Sequence, residues 1–115
     1  MVPGVYNYPS QYKGDTLEQV KFTIKEKETE LPIDLTGATL KCQFRTIFNG
    51  AIVKEITDGS GITFSNPSGG EFIIDAFIVD WDPGNYLYDV EVTFANGTVK
   101  TYVKGGINVI SDTTL

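Results

Sequence analysis

The side chains that most often carry out chemistry in proteins are scarce in this sequence. It contains no histidine and a single cysteine, Cys42, so a nucleophile would lack its commonest general base and structural zinc would lack its ligands. It also has no glycine-rich loop of the kind that binds phosphate. We therefore predict a protein that is not an enzyme and has no catalytic residue, no metal and no cofactor.

The strongest candidate for a cation site is an acidic segment in the last third of the chain. Asp80, Asp82 and Asn85 offer hard oxygen ligands near a tight turn, as in half of a calcium loop. Glu91, the acid nearest to the twelfth place of such a loop, falls on a predicted strand. A β-turn in which Asp82 bonds to its own backbone is the better interpretation.

The charge of the chain argues against two classes of partner. Nine basic and fifteen acidic side chains give a net charge of −6 at pH 7. A phosphate backbone or an anionic lipid surface attracts a basic patch, whereas the lysines of residues 21–27 are interspersed with glutamates. We therefore predict no binding to nucleic acid and none to a membrane.

Short runs of alternating apolar and polar residues predict strands. Residues 20–25 form the first run, and a second contains Leu40, Cys42 and Phe44 at alternate positions. This spacing places Cys42 in the core as a small apolar residue and not as a reactive thiol. Because it is the only cysteine, we expect a fold without a disulfide.

The middle of the chain also predicts β-structure. Further strands are expected over residues 51–56, 62–64 and 71–75, and the last two should form a hairpin around the loop 65–70. The apolar stretch 72–79 is either one strand buried on both faces or two short strands with a bend.

The clearest local signal is the Asn96-Gly97 pair between two alternating runs. Both residues tolerate positive φ, as a two-residue type I′ hairpin requires. Counting outward from this turn pairs Phe94 with Val99 and Val90 with Val103. We therefore predict a tight hairpin whose strands share one apolar face.

These signals together predict one all-β domain of about seven or eight strands. We expect an immunoglobulin-like antiparallel β-sandwich over residues 17–110. Residues 1–16 contain Pro3 and Pro9 and show no regular period, which predicts an extended N-terminal arm. Residues 111–115 are expected to form a flexible tail.

The segment 82–88, with the sequence Asp-Pro-Gly-Asn-Tyr-Leu-Tyr, resembles the pattern that opens the sixth strand of immunoglobulin domains. The resemblance implies that Tyr86 is a tyrosine-corner residue, with its ring packed and its hydroxyl bonded to upstream backbone. It also places Tyr88 where that family has its second cysteine, and Cys42 resembles the second-strand cysteine. The implied likeness is therefore architectural, without the disulfide.

Five elements occur in order: Gly-Asp-Thr at 14–16, Pro-Ile-Asp-Leu-Thr-Gly-Ala-Thr at 32–39, Gly-Ser-Gly-Ile-Thr at 59–63, Asp-Pro-Gly-Asn-Tyr at 82–86 and the Asn96-Gly97 hairpin. Together they resemble the N-terminal immunoglobulin-like domain of upper baseplate proteins in tailed bacteriophages. The resemblance implies a virion structural protein of the baseplate or tail, assembled in the bacterial host cytoplasm, which contacts other virion proteins as a homo-oligomer or in many copies. The alternatives are a capsid decoration or head-fibre protein and a carbohydrate-binding or adhesin module.

The aromatic residues of the arm and of the acidic segment are the candidate contact residues. In one interpretation the arm folds back over an edge of its own sheet and protects it from unwanted pairing. In the other it lies across a neighbouring subunit, where tyrosine gives a large contact area, and the two arrangements are compatible in one assembly. In the carbohydrate-binding alternative, Trp81 would stack on sugar rings. The predicted interaction residues are Tyr6, Tyr8, Tyr12 and Trp81, and the predicted structural residues are Tyr86, Tyr88, Cys42, Asn96 and Gly97.

Overall fold

The computed structural model of the protein describes residues 4–111, and this part of the chain folds into strands joined by turns. Its helical structure is a 3-10 turn at Pro67–Gly69. The prediction of an all-β fold is therefore confirmed. The strands are β1 (Gly4–Val5), β2 (Gln11–Tyr12), β3 (Thr16–Leu17), β4 (Val20–Thr23), β5 (Thr39–Thr46), β6 (Ile52–Asp58), β7 (Gly61–Asn66), β8 (Glu71–Ile74), β9 (Phe77–Ile78), β10 (Gly84–Thr93) and β11 (Val99–Ile110).

Most strands belong to one sheet that curls into a β-sandwich. Its order is β1-β11-β10-β5-β6-β7-β8-β4, with β2 also paired to β11, while β3 and β9 form a separate small sheet. The corner between the two layers lies where β6 meets β7 in a short parallel contact. Because β1 and β2 also run parallel to β11, the large sheet is mixed and not purely antiparallel.

The predicted alternation of buried and exposed residues holds in the central strands. Leu40, Cys42 and Phe44 on β5 are each at most 1% exposed. On the second layer, Phe72 and Ile74 of β8 are equally buried. The apolar stretch that follows is two short strands with a bend, β8 and β9, and not one long strand.

The register of the β10–β11 hairpin differs from the prediction near its turn. The amide of Phe94 donates to the carbonyl of Thr98 at 2.8 Å, and Gly97 alone of the turn pair has a positive φ, at 90°. The loop therefore has three residues with a bulge at Gly97, and not a two-residue type I′ turn. Thr93 pairs with Val99 in place of Phe94.

A second bulge in the same hairpin restores the predicted pairing further along. The register shifts by one residue between Val90 and Glu91, where Tyr102 is the extra residue of β11. Val90 therefore lies opposite Val103, as predicted. Bulges of this kind bend a strand and increase its twist.

The N-terminal arm lies along β11 of its own chain. The amide of Tyr6 donates to the carbonyl of Lys104, and the amide of Tyr8 donates to that of Gly106, both at 2.9 Å. Further along, β2 continues the same parallel pairing beside Val109. The described part of the arm thus covers a sheet edge of its own molecule, which is the first of the two arrangements considered for it.

The strand order corrects the role that the immunoglobulin resemblance implied for Cys42. In the register of β5 and β10, Cys42 lies opposite Val90 within one layer, so it does not face Tyr88 from the opposite layer as the paired cysteines of an antibody domain do. Burial raises the pKa of the Cys42 thiol, and the carboxylate of Asp89 adds to the shift. The residue is a core thiol, as its spacing predicted.

Candidate functional site

The three arm tyrosines occupy three different environments. Tyr8 is 6% exposed and belongs to the core, so it is not the exposed contact residue that we expected. Tyr6 is half-buried, and its ring packs edge-on against Phe22 at 5.6 Å between centroids. Tyr12 is 50% exposed at the end of the arm and is the one of the three that faces solvent.

Trp81 is also held within the molecule. Its ring lies 5.2 Å from the Phe44 ring and 5.0 Å from the Tyr86 ring, centroid to centroid. The hydroxyl of Tyr86 donates to the carbonyl of Asp82, four residues upstream. This contact is the tyrosine corner that the segment 82–88 predicted, and Trp81 packs beside it instead of standing free to stack on a ligand.

Tyr88 ties the arm to the sheet. Its hydroxyl donates to the carbonyl of Tyr6 at 2.6 Å, and burial raises the pKa of its phenol. The same carbonyl lies so close to β11 that a Cβ atom on Gly105 would be 1.8 Å from it. A glycine at position 105 is therefore what lets the arm cross the sheet here.

The arm forms one wall of an apolar concavity, which we call the edge cleft. It lies between β1 at the edge of one layer and β4 at the edge of the other, and its volume is about 480 Å³. Since β1 and β4 end the strand order, each has one unpaired edge. The apolar residues that line the edge cleft are Val5, Tyr6, Phe22, Ile24, Tyr102 and Val103.

Charges of both signs surround the edge cleft. Lys25 and Lys27 line it, while Lys21 on β4 is held by Glu71 at 2.6 Å. Hydrogen bonding to Lys21 lowers the pKa of the Glu71 carboxyl. Burial raises the pKa of Tyr102, and the nearby carboxylate of Glu26 adds to this. The cleft therefore combines an apolar floor with two exposed ammonium groups.

The free edge of β4 offers little backbone for a further strand. The amide of Ile24 donates to Gly70 on the β8 side, and hydrogen bonding alternates along an antiparallel strand. The polar backbone groups of Lys21 and Thr23 therefore point away from β8. The free edge thus presents only two residues for pairing, and one of them is a lysine, which protects sheet edges from further strands. A ligand in the cleft would therefore bind mainly through apolar contacts.

A second depression, of about 510 Å³, lies on the outer face of the layer formed by β5, β10 and β11. Gly106 forms part of it, and Leu87, Arg45, Asp89 and Lys104 surround it. Asp89 and Lys104 lie opposite each other in the register, so charges of both signs meet there.

One exposed apolar segment was not predicted from the sequence. The loop between β5 and β6, residues 46–52, which we call the hairpin tip, exposes Phe48 by 90%, Ile47 by 55% and Ile52 by 50%. In the sequence, the adjacent apolar residues Ile47 and Phe48 do not distinguish a loop from the end of a strand. Only the position of the loop at a β-hairpin shows that these side chains face solvent.

Two further searches concern metals and membranes. Residues 4–111 bring together no group of three or more acidic, cysteine or histidine side chains that would hold a metal ion. Within the same range, no helix has the length and apolar character that crossing a membrane requires.

Comparison with known proteins gives a likeness of fold. No protein-family model matches the chain, and no curated protein is significantly similar to it. The chain is similar to the crystal structure of CopC from Methylosinus trichosporium OB3b, with a TM-score of 0.50 and 15% sequence identity over 92% of this chain and 88% of that one. At this identity, the likeness supports the β-sandwich fold.

This comparison contradicts the predicted bacteriophage function. CopC, a solved structure that shares the fold, is not a baseplate, tail or capsid protein. The predicted role as a virion structural protein is therefore wrong. The resemblance to upper baseplate domains rested on short turn motifs, which recur in unrelated sandwiches because the same turns need the same residues.

Proposed function

We propose that this domain is a non-catalytic binding module that holds an apolar segment of another polypeptide in the edge cleft. The observation that carries the proposal is the apolar cleft between two free sheet edges, with Val5 at 64% exposure on one wall. Concave, mostly apolar sites with a few polar groups are the usual form of binding sites. The sequence supports a non-catalytic role because it has no histidine and its one thiol is buried.

The form of the cleft indicates how a segment would bind. Tyr6 and Phe22 offer ring surfaces in edge-to-face contact, and aromatic side chains contribute much of the energy of protein interfaces. Lys25 and Lys27 favour a segment with a carboxylate beside its apolar side chain. Backbone pairing with β4 adds at most a few hydrogen bonds, since that strand has four residues.

Nuclear magnetic resonance titration tests the proposal. Labelled protein would be titrated with acetylated, amidated pentapeptides that carry phenylalanine, leucine or asparagine at the centre and one aspartate beside it. We expect the phenylalanine and leucine peptides to shift the amide signals of Tyr6, Thr23 and Val103, and the asparagine peptide to leave them unchanged.

Two matched variants locate the binding. Val5→Glu places a charge in the edge cleft and should abolish the shifts, while Leu87→Glu, at a residue of similar exposure on the outer face, should retain them. Shifts that centre on Arg45 and Leu87 would contradict the proposal. So would the absence of any shift at about 10 mM peptide, a concentration that detects even binding weaker than 1 mM.

A further inference from the structure

The sequence contains two Asn-Gly pairs, and each lies in the loop of a β-hairpin. Asn49-Gly50 belongs to the hairpin tip, and Asn96-Gly97 lies between β10 and β11. All four residues are exposed. The two glycines have a positive φ, at 69° and 90°, and a Cβ atom added to either would meet no atom within 4 Å. Both Asn-Gly peptide bonds are therefore open to solvent.

An asparagine that precedes glycine can lose its side-chain amide by reaction with its own backbone, because glycine has no side chain to block the approach. In the hairpin tip, the Gly50 amide nitrogen gives its proton to hydroxide and bonds to Cγ of Asn49, whose Oδ1 takes the negative charge. The Cγ–Nδ2 bond then breaks, and Nδ2 takes a proton from water and leaves as ammonia. Water opens the resulting succinimide ring at either carbonyl, which gives aspartate or isoaspartate.

The two turns share the contacts that position this reaction. In each turn, Oδ1 of the asparagine accepts a hydrogen bond from the amide two residues later, that of Ala51 at 3.1 Å or that of Thr98 at 2.9 Å. This Asx turn folds the side-chain amide back towards the peptide nitrogen that attacks it. Each glycine amide also donates to a carbonyl, that of Thr46 at 3.0 Å or that of Phe94 at 2.8 Å, which opposes loss of its proton. These shared contacts therefore do not separate the two sites.

Asn49 differs from Asn96 by a second donor on its side-chain oxygen. Because the Ala51 amide is a donor, the atom of Asn49 that faces it is the oxygen Oδ1 and not Nδ2. The hydroxyl of Thr46 contacts the same oxygen, and since Oδ1 can only accept, the hydroxyl donates to it. The Ala51 amide also donates to the Thr46 hydroxyl oxygen at 3.1 Å, which holds the hydroxyl in place. Among residues 4–111, Oδ1 of Asn96 has one donor, the Thr98 amide.

We propose that the hairpin tip is a self-modifying site, in which Asn49 is converted to aspartate and isoaspartate faster than Asn96. The Thr46 hydroxyl and the Ala51 amide act as an oxyanion hole, because they already point at the oxygen on which negative charge forms during the attack. The same attack at Asn96 has one such donor.

The modification changes the character of the hairpin tip. No residue from 46 to 52 is charged, and Phe48 beside the site is 90% exposed. Conversion of Asn49 places a carboxylate next to this ring, and isoaspartate also lengthens the main chain of the loop. An apolar surface thus becomes a charged one as the protein ages.

Peptide mapping by mass spectrometry tests the proposal, because it measures conversion at both asparagines in the same incubated sample. In the folded wild-type protein at mildly alkaline pH, Asn49 should convert about fivefold faster than Asn96, the effect of one further hydrogen bond at an exposed site. In concentrated urea the two rates should become equal, because both pairs then lack their turns. Asn96 serves as the internal control for pH, temperature and buffer.

Two variants at position 46 test the second donor. Thr46→Val removes the hydroxyl with little change of shape and should slow conversion of Asn49 about fivefold, as expected for the loss of one hydrogen bond. Thr46→Ser keeps the hydroxyl and should convert at the wild-type rate. Neither variant should change the rate at Asn96.

Three results would overturn the inference. They are a folded wild-type protein in which Asn96 converts as fast as Asn49, a Thr46→Val variant that converts Asn49 at the wild-type rate, and a product at position 49 that contains aspartate without isoaspartate. The last result would indicate direct hydrolysis of the side chain, which forms no succinimide. The comparison within the wild-type protein needs no variant, so it stands even if Thr46→Val fails to fold.

Discussion

At the scale of single residues, the arm tyrosine Tyr8 shows how a side chain can be buried without a partner for its polar atom. It is 6% exposed, and its hydroxyl has no hydrogen-bond partner among the described residues. Its ring lies 5.2 Å from that of Tyr88, whose hydroxyl bonds to the arm. The two phenols are neighbours with opposite hydrogen-bonding states, which makes them a matched pair for substitution.

We predict that Tyr8→Phe leaves the free energy of unfolding unchanged or raises it by about 1 kcal/mol, because it removes a buried and unsatisfied hydroxyl. Tyr88→Phe should lower it by about 1 kcal/mol, because it breaks the bond to the Tyr6 carbonyl. Urea denaturation of the two variants and the wild type measures both changes. A loss for Tyr8→Phe as large as that for Tyr88→Phe would contradict the prediction.

Cys42 should react only when the protein unfolds. It is fully buried, and burial raises its pKa, so both access and thiolate formation are suppressed. We predict that a thiol reagent labels native protein at a rate that follows global unfolding and rises with urea. As a control, a cysteine introduced at the exposed Leu31 should be labelled at once under native conditions.

Single-residue predictions from the sequence succeeded where the alternation was regular. Cys42 and Phe44 were placed in the core from their spacing, and Tyr86 was placed in the corner from its turn motif. The burial of Tyr8 was not predicted, because the arm has no regular period. Tyr8 is buried because the arm pairs with β11, which is distant in the sequence: the neighbouring Asn7, for example, accepts a hydrogen bond from Gly106, 99 positions away. A local pattern cannot show such a contact.

At the scale of secondary-structure elements, the pairing of the arm with β11 depends on Gly105. We predict that Gly105→Ala detaches the arm, because its Cβ would lie 1.8 Å from the carbonyl oxygen of Tyr6. Faster hydrogen exchange at the Tyr6 and Tyr8 amides would measure the detachment. A cost of about 2 kcal/mol or more in unfolding is expected from the steric strain.

Gly4→Ala is the matched control for this prediction. At Gly4 the nearest atom to an added Cβ is the Tyr102 carbonyl oxygen at 3.5 Å, which is an ordinary contact. This variant should keep the slow exchange of Tyr6 and Tyr8. Unchanged exchange in Gly105→Ala would show that β11 can move aside and that the arm is not fixed by this glycine.

The ion pair between Lys21 on β4 and Glu71 on β8 should make part of the free energy of unfolding depend on pH in the acidic range. Lys21 lowers the pKa of Glu71 below its ordinary value of 4.5. As the pH falls, Glu71 is therefore protonated in the unfolded state before it is protonated in the folded state. The ion pair thus contributes its full stability above about pH 4.5, and this stability is lost as the pH falls through the lowered pKa of folded Glu71. We predict that Lys21→Met raises the pKa of Glu71 towards 4.5 in a magnetic resonance titration, whereas Lys25→Met leaves it unchanged.

The β10–β11 hairpin shows which part of an element is predictable. Alternation identified both strands, but the pair Asn96-Gly97 is compatible with a two-residue and with a three-residue loop. The structure has the three-residue loop, and the bulge at Tyr102 restores the predicted pairing of Val103 with Val90. Register therefore depends on how the strand must bend over the core, which the turn residues alone do not specify.

At the scale of the whole molecule, the buried phenols should limit stability in alkaline solution. Burial raises the pKa of Tyr8 and of Tyr88 above the ordinary value of 10.0. Between the ordinary and the raised values, the folded state holds protons that the unfolded state has released, so stability is complete below pH 10 and falls as the pH rises further. Urea denaturation between about pH 8 and pH 11 should show this fall, and Tyr88→Phe should reduce its slope.

The fold class was predictable from the sequence, and the candidate site was not. Strands and core residues follow from a period of two, which is a local property. The edge cleft instead brings Val5 of the first strand, Phe22 of the fourth and Tyr102 of the last into one surface. Such a surface exists only after the layers have closed, and turn motifs shared with phage proteins gave no information about it.

The pairing of the first strand with the last has a consequence for biosynthesis. The segment that β1 and β2 contact, residues 103–110, belongs to β11, which is synthesised after all the other described strands. Until then, Tyr6 and Tyr8 have no edge to join, and residues 4–13 of the nascent chain must stay without their β11 partners while the intervening strands emerge. Completion of the sandwich thus waits for β11, and a ribosome that stalls before Val103 exposes β10 as an open edge to neighbouring nascent chains.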